Sequence, residues 1–402
     1  MQKEKKIQLA QQYLRAMKAD GWLLYDFHGN NNLAHAFLEI PSGAMTTRRF
    51  FYWIPAEGTP IRIVHAIESH VLDGWPGEKR LFLSWQSLQL AVQKTVQGAK
   101  KIAMEYSPKN GNPYVSRVDG GTIDLIRSFG IDVVSSGGFL PHFTAVLDAE
   151  QGASQARAAQ KLNQIVHQTW SWIEECLKQE RSVNEYEIQQ KILDHFQQNN
   201  LITESPPIVA INAHSADPHF VPVSKGASEL RKGDFLLIDL WARENKERTV
   251  YGDITKVAVA SDRPTKRQDE VFQVVRRAQK AGIDLVKKRF SEKKQVTGAE
   301  IDDAVRKVVV DAGYGEYFTH RTGHSIDTQL HGSGVNLDNL EMEDLRPILP
   351  ATCFSVEPGI YLPGEFGVRL ESDVYVHADG RVEVTGGEQD ELHALLSGKS
   401  FS

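Results

Sequence analysis

The chain has 402 residues, 41% of them apolar and 24% charged, with a formal net charge of −6. That length predicts two domains and a core large enough to fold without disulfide staples. The mild negative charge gives no electrostatic reason to expect nucleic acid or an anionic membrane as a partner. The two cysteines, Cys176 in an amphipathic helical stretch and Cys353 in an apolar run, read as buried free thiols and suit a cytoplasmic location.

In chain order, the first residues carry basic side chains but neither a continuous apolar segment nor a small-residue cleavage site, so Ile7–Ala19 reads as an amphipathic helix rather than a signal peptide. No apolar run reaches the ~18 residues of a membrane span. Trp22–Phe27 reads as a buried strand. Arg49–Ile54 and Pro60–Ala66 read as a hairpin joined by a turn-rich connection. Helices are expected over Trp85–Gln97 and Gly121–Phe129, and strands over Lys101–Tyr106 and Asp132–Ser135. This alternation predicts a small α/β domain over residues 1–150.

A long helix follows from Glu150 to about Lys178, with Leu162, Ile165, Val166, Trp170, Ile173 and Leu177 at helical spacing. A second helix is expected to open with a capping box at Ser182–Glu185, and another at Thr297–Glu300. Strand-like runs at Ile208–Ile211, Phe235–Leu240, Ile254–Ala260, Cys353–Val356 and Val374–His377 interleave with helices at Asp269–Phe290 and Glu300–Ala312. No regular βαβ repeat links them, so residues 151–402 predict an α+β domain.

Five residues of this second half put an acid or a histidine where core residues are expected. Asp239 interrupts Phe235-Leu236-Leu237-Ile238, and an ionised carboxylate in such a strand is costly unless it is paired or binds a metal. Asp253 opens another apolar run, His324 follows Thr322-Gly323, Glu357 stands between Val356 and Pro358-Gly359, and Glu371 follows Val368-Arg369-Leu370. Singly, each has an ordinary explanation as a cap, a turn residue or a satisfied polar group. Together, four carboxylates and one imidazole match a pair of divalent ions held mostly by oxygen. The absence of thiolate disfavours a structural zinc site. Two ions ~3.5–4 Å apart can activate water and polarise a carbonyl, the chemistry of amide hydrolysis. His219, His331 and Arg369 are candidate donors to the negative intermediate, and a carboxylate such as Glu357 can shuttle the proton.

The ordered run Pro218-His219, Ile238-Asp239-Leu240, Asp253-Ile254-Thr255, Thr322-Gly323-His324, Val356-Glu357-Pro358-Gly359 and Gly367-Val368-Arg369-Leu370-Glu371 resembles the pita-bread metallopeptidases, which include methionine aminopeptidase, aminopeptidase P and prolidase. The resemblance covers about residues 155–390. It implies an α+β pita-bread catalytic domain, preceded by the smaller α/β domain of the creatinase, prolidase and aminopeptidase P branch. That branch favours substrates with proline in the second position.

The resemblance also implies roles. Asp239 would be a terminal metal ligand, Asp253 and Glu371 bridges, and His324 and Glu357 ligands of the other ion, with Glu357 doubling as proton shuttle. His219, His331 and Arg369 would contact substrate, and His320 would orient the site. The ions would be manganese or cobalt, with zinc or iron as further options, and the protein a homodimer acting on a short peptide or another small molecule. Two departures bear on substrate. Asp239 and Asp253 are widely spaced, with the charged segment Ala242–Arg248 read as a lengthened hairpin loop, and Asp327 stands where the family often has glycine. The competing readings are a metal-dependent hydrolase or lyase of a non-peptide compound on the same scaffold, and a non-catalytic binding module.

Overall fold

The computed structural model describes residues 2–41 and 43–398. Two compact units meet at Thr144/Ala145, where the sequence places the division at 150/151. Residues Ala145–Asp148 go with the C-terminal unit because the Leu147 amide donates to the Ala351 carbonyl at 2.7 Å and the Leu147 side chain is buried beside Tyr251 and Tyr375.

The N-terminal unit runs α1 (Lys3–Ala16), β1 (Gly21–Asp26), α2 (Asn32–Leu38), β2 (Phe50–Pro55), β3 (Ile61–His65), β4 (Glu78–Phe82), α3 (Trp85–Thr95), β5 (Lys101–Met104), α4 (Gly120–Ser128), β6 (Asp132–Ser135) and α5 (Pro141–Thr144). Its six strands form one mixed sheet in the order β4-β3-β2-β1-β5-β6. Strand alternation sends Trp22 and Leu24 into the core under α1 and α2, and Leu23 and Tyr25 into the core under α3 and α4. Helices α2 and α5 and strand β4 are not legible in the sequence. Helix α2 is capped by Asn31, which accepts from the Ala34 amide at 3.0 Å, within an asparagine-rich stretch that reads as loop. Strand β4 (EKRLF) is a charged edge strand paired only with β3, where lysine and glutamate blunt the exposed edge.

The C-terminal unit runs α6 (Ala149–Lys178), α7 (Glu185–Gln198), β7 (Leu201–Ile202), β8 (Ile208–Ile211), β9 (Phe235–Glu244), β10 (Gly252–Val259), α8 (Lys266–Ser291), α9 (Gly298–Asp311), β11 (Ser325–Ile326), β12 (Thr352–Val356), β13 (Gly359–Leu362), β14 (Phe366–Arg369), β15 (Ser372–Val376), β16 (Val382–Thr385) and β17 (His393–Ala394). The β9–β10 ladder is its centre, with β8 and β7 on the far side of β9 and β17 beyond β10. Both faces of this ladder are covered. Leu236, Ile238, Leu240 and Ile254 pack against α6 and α7, while Phe235, Leu237, Val257 and Val259 pack into the core shared with α8, α9 and β12–β15. Burial on both faces explains why β9 reads as a continuous apolar run.

The helix starts are set by capping boxes, with one correction. The box that opens α7 is Asn184 with Glu187, not Ser182 with Glu185. Glu185 is instead fully buried and accepts from the Ile211 amide at 2.7 Å, the Ser228 amide at 2.8 Å and His214 Nδ1 at 2.9 Å. It therefore ties α7 to both ends of the segment that carries His219. The box at Thr297 and Glu300 opens α9 as expected.

The charged segment after Asp239 is also corrected. β9 continues through Ala242, Arg243 and Glu244, so three of the seven residues Ala242–Arg248 are strand and the other four lie in the connection to β10. Glu244 is buried and accepts from Arg157 and Lys161 of α6, at 2.9 Å and 3.2 Å.

Asp302 of α9 fastens the loop before β11. Its fully buried carboxylate accepts from the Thr322 amide at 3.0 Å, the Thr322 hydroxyl at 2.6 Å and the Asn339 amide at 3.0 Å, and pairs with Arg306. Removing one partner of a buried, hydrogen-bonded charge pair costs about 3–5 kcal/mol. Asp302→Ala is expected to lower the urea midpoint of the C-terminal unit by a corresponding amount, read by circular dichroism. A midpoint equal to wild type would show that Asp302 does not hold the His320–His324 segment.

Candidate metal centre

Asp239 lies on β9 and Asp253 on β10, both on the face of the ladder that turns towards β12–β15. The register pairs Asp239 with Thr255 and Asp253 with Trp241, so the two acids stand diagonally on adjacent strands. Glu371 arrives from the turn before β15. Its amide donates to the Thr255 carbonyl at 3.2 Å, and its Oε2 accepts from the Thr255 hydroxyl at 2.7 Å. Glu357 follows β12, where the Ser355 hydroxyl donates to it at 3.1 Å and accepts from the His324 amide at 3.0 Å. Gln279 of α8 donates to the carbonyls of Val356 and Leu370, at 3.0 Å and 3.1 Å, and so fixes the residues just before Glu357 and Glu371.

The backbone makes room for these approaches at two glycines. A methyl group on Gly323 would strike the Ser355 carbonyl, and one on Gly367 would strike the Ser215 carbonyl. Neither position tolerates a side chain without pushing His324 or Arg369 away from the cluster.

The donor atoms converge. One atom each from Asp253, His324 and Glu371 lies within 4.8 Å of the others. His324 Nε2 is 3.4 Å from Asp253 Oδ2 and 3.5 Å from Glu357 Oε1. Asp239 joins through Arg369, whose Nη2 donates to its Oδ2 at 2.5 Å. What the cluster lacks is donors. Asp239 Oδ1, Asp253 Oδ1 and Glu371 Oε1 are buried without a hydrogen-bond partner. His324 Nδ1 is 3.2 Å from the Ser325 carbonyl, so that nitrogen carries the proton and Nε2 turns its lone pair towards two carboxylates.

The electrostatics follow from this. Burial, then the charges of Glu371 and Asp239, push the Asp253 carboxyl well above the usual range. Burial, then Glu357 and Asp239, do the same to Glu371. Burial pushes Glu357 up to about 7. Burial and the neighbouring His331 hold His324 well below the ordinary imidazole range. A neutral imidazole and several buried oxygens that face one another without a hydrogen-bond partner are a donor set for divalent cations with a preference for oxygen ligands.

Arg369 is held inside this arrangement. Of its five N–H groups, Nε donates to the Thr255 hydroxyl at 3.2 Å, Nη1 to the Tyr361 hydroxyl at 2.9 Å and the Pro218 carbonyl at 3.3 Å, and Nη2 to Asp239. At most one N–H remains for a substrate. Tyr361 O–H donates in turn to His320 Nε2 at 2.7 Å, while His320 Nδ1 meets the Arg321 carbonyl at 2.7 Å. Burial, then Arg369, drives His320 down to about 3, so the ring is neutral.

His331 packs edge-on against His324 with ring centroids 4.4 Å apart. His219 is exposed, on the segment after a short 3-10 helix at Asn212–Ala216. After burial and Arg321, its charge helps depress the pKa of His331. Tyr361, Ser355, Gln279 and Glu185 carry no sequence signal of their own. Thr255 has one, as the next residue on the Asp253 face of β10. A larger cavity of about 670 Å³ opens on the other face of the ladder around Lys256 and Trp170, and none of the five clustered residues lines it.

The model of metallopeptidase family M24 matches residues 154–378, more than half of the chain. The chain belongs to this family. An Xaa-Pro dipeptidase of Lactobacillus delbrueckii subsp. lactis is 34% identical over 200 residues, 49% of this chain and 48% of the relative. Matches of this kind span about half the length of the curated relatives. Among solved structures, dipeptidase PepE of Mycobacterium ulcerans superposes with a TM-score of 0.70 at 24% identity, covering 98% of both chains. A prolidase of Thermococcus sibiricus gives 0.66 at 21% identity, covering 98% of this chain and 99% of its own. These likenesses establish the pita-bread fold with a preceding N-terminal domain.

The raised carboxyls of this cluster carry a pH signature. In the unfolded chain Glu357 titrates near its ordinary value of 4.5, and in the folded chain near 7. Between those values the folded state binds the extra proton, so stability falls as pH rises and the contribution is lost above about 7. Chelated, metal-free protein is expected to show a lower thermal midpoint at about pH 8 than at about pH 5. An added divalent ion should restore the midpoint at the higher pH. A midpoint that rises with pH in the chelated protein would contradict these charges.

Proposed function

We propose that the chain is a dinuclear metal-dependent hydrolase that cleaves Xaa-Pro bonds in short peptides. The observation that carries the reading is the set of unpartnered buried oxygens on Asp239, Asp253 and Glu371 beside the unprotonated Nε2 of His324. Family membership and the Xaa-Pro dipeptidases among the relatives support the substrate class.

In this reading Asp239, Asp253, His324, Glu357 and Glu371 would hold the two ions. When bound, such ions supply Lewis acidity and lower the pKa of water. The chain's own groups do the rest. Glu357, a carboxylate at the edge of the cluster, can take a proton and return it to the leaving nitrogen. His219 and His331 stand at the accessible side of the cluster as donors to the substrate or to the developing oxyanion. Arg369 orients Asp239 and offers its remaining N–H, and Tyr361 and His320 hold Arg369 in place.

Manganese is the ion we assign first, because four carboxylates and a single imidazole favour a hard, oxygen-seeking cation, with cobalt, zinc or iron as substitutes. A cytoplasmic homodimer belongs to the same reading. The two free cysteines are buried, and among the described residues no helix is long and apolar enough to cross a membrane.

The experiment is hydrolysis of Ala-Pro and Ala-Pro-Ala by manganese-supplemented protein, with metal content measured alongside. Asp253→Asn and Glu371→Gln should each lose both metal and amidase activity, and full activity in either would end the proposal. His219→Ala should keep its metal but lose roughly 10²–10³-fold in turnover, as for a deleted oxyanion donor. Turnover equal to wild type would remove His219 from the mechanism.

A further inference from the structure

Asp327 follows His324 by three residues, where the family often has glycine, and it is buried. Its two oxygens turn into the loop that follows. Oδ1 accepts from the Gln329 amide at 2.7 Å, and Oδ2 accepts from the Ser333 amide at 3.0 Å. Those two amides bracket His331. Between them, the Gly332 amide donates to the Ser325 carbonyl at 2.7 Å and folds the loop back on β11. A methyl group on Gly332 would strike Oδ2, so glycine there lets the carboxylate lie inside the loop. The Asp327 carbonyl accepts from the Tyr251 amide at 3.2 Å, which anchors the base of the loop to the chain just before β10.

The loop's own side chains supply little rigidity. Gln329 and His331 are exposed, and Thr328 and Leu330 are half-buried. Burial pushes the Asp327 carboxyl up, and the Gln329 and Ser333 amides pull it back down. An acid whose two oxygens both accept from N–H groups acts as a carboxylate does. Glycine in its place would offer no acceptor and would give the chain more conformations. The group that a looser loop would misplace is His331. Its ring packs edge-on against His324, with centroids 4.4 Å apart, and it is exposed enough to meet a substrate.

We propose that Asp327 is a positioning residue: its carboxylate staples the loop of residues 328–333 and so presets His331 beside the acid cluster for contact with substrate. The proposal rests on the hydrolase reading for the role of His331. It deepens that reading by naming the buried acid that holds this contact ready before substrate arrives. A loop released from Asp327 is in the binding-competent form only part of the time. Apparent affinity falls by that fraction, while turnover of the bound substrate is kept. Asp327 therefore acts on KM, and acts through His331.

Two readouts test it. Asp327→Ala removes both acceptors, and in manganese-supplemented protein it should raise KM for Ala-Pro about tenfold with kcat near wild type. Asp327→Asn keeps an oxygen for the Gln329 amide, and its KM should fall between those of wild type and the alanine variant. In His331→Ala protein, adding Asp327→Ala should leave KM where it is, an outcome that a merely structural role would not produce. The second readout needs no hydrolysis. Hydrogen exchange of the Gly332 amide, which Asp327 does not touch, should be about tenfold faster in Asp327→Ala, with the amides of β9 and β10 at wild-type rates. Asp327→Asn changes the side chain least and carries the same comparisons if the alanine variant unfolds.

A wild-type exchange rate at Gly332 overturns the proposal, whether or not the protein cleaves peptides. So does a KM increase that persists undiminished in the His331→Ala background. Wild-type KM in both Asp327 variants leaves the hydrolase reading standing and removes this one. Faster Gly332 exchange in a protein that cleaves no Xaa-Pro dipeptide keeps the staple and removes the hydrolase reading.

Discussion

The C-terminal unit is organised around one electrostatic problem: Asp239, Asp253, Glu357 and Glu371 share a buried site at the edge of an apolar core. Like charges in a low-dielectric interior raise one another's pKa, and burial raises it further. Hydrogen bonding from the protein answers only part of this. Thr255, Ser355 and Arg369 each satisfy one oxygen and leave the inward-facing ones bare. A structural ion-pair network would have satisfied all of them, because buried polar groups left unpaired are among the most destabilising features a fold can carry.

The surrounding architecture limits how the cluster can relax. The β9–β10 ladder is buried on both faces, so neither strand can slip register to turn its acid to solvent without exposing Leu237 and Val257 to the wrong face. Gln279 fixes the chain just before Glu357 and Glu371, Asp302 fixes Thr322, and Glu185 fixes the segment that carries His219. Each of these is a buried side chain from a helix bonded to the backbone of a loop. The helices thus hold the site by orienting loop carbonyls and amides, and the acids themselves come from strands and strand ends.

How much of this was legible in the sequence depends on whether a residue contradicts its local environment. Asp239 does, as a charge inside an apolar strand, and the capping box at Thr297 follows local rules that tertiary structure does not overrule. Ser182 and Glu185 have the spacing of a capping box, and only the fold reveals that the Glu185 carboxylate faces inward while Asn184 and Glu187 form the box. The extension of β9 through Arg243 and Glu244 was hidden because charge in a sequence reads as loop. Glu244 is tolerated in the strand because Arg157 and Lys161 on the distant α6 reach it. Tyr361, Ser355 and Gln279 act only through contacts across long sequence separations, and such contacts leave no local periodicity or motif.

The most direct test of the central claim is manganese uptake by chelated protein near pH 8, with bound ions counted at equilibrium and released protons measured alongside. The account predicts two ions per chain, with protons released as the carboxyls with raised pKa give way to metal. Failure to take up any divalent ion, with the chelated protein fully stable at that pH, would contradict it.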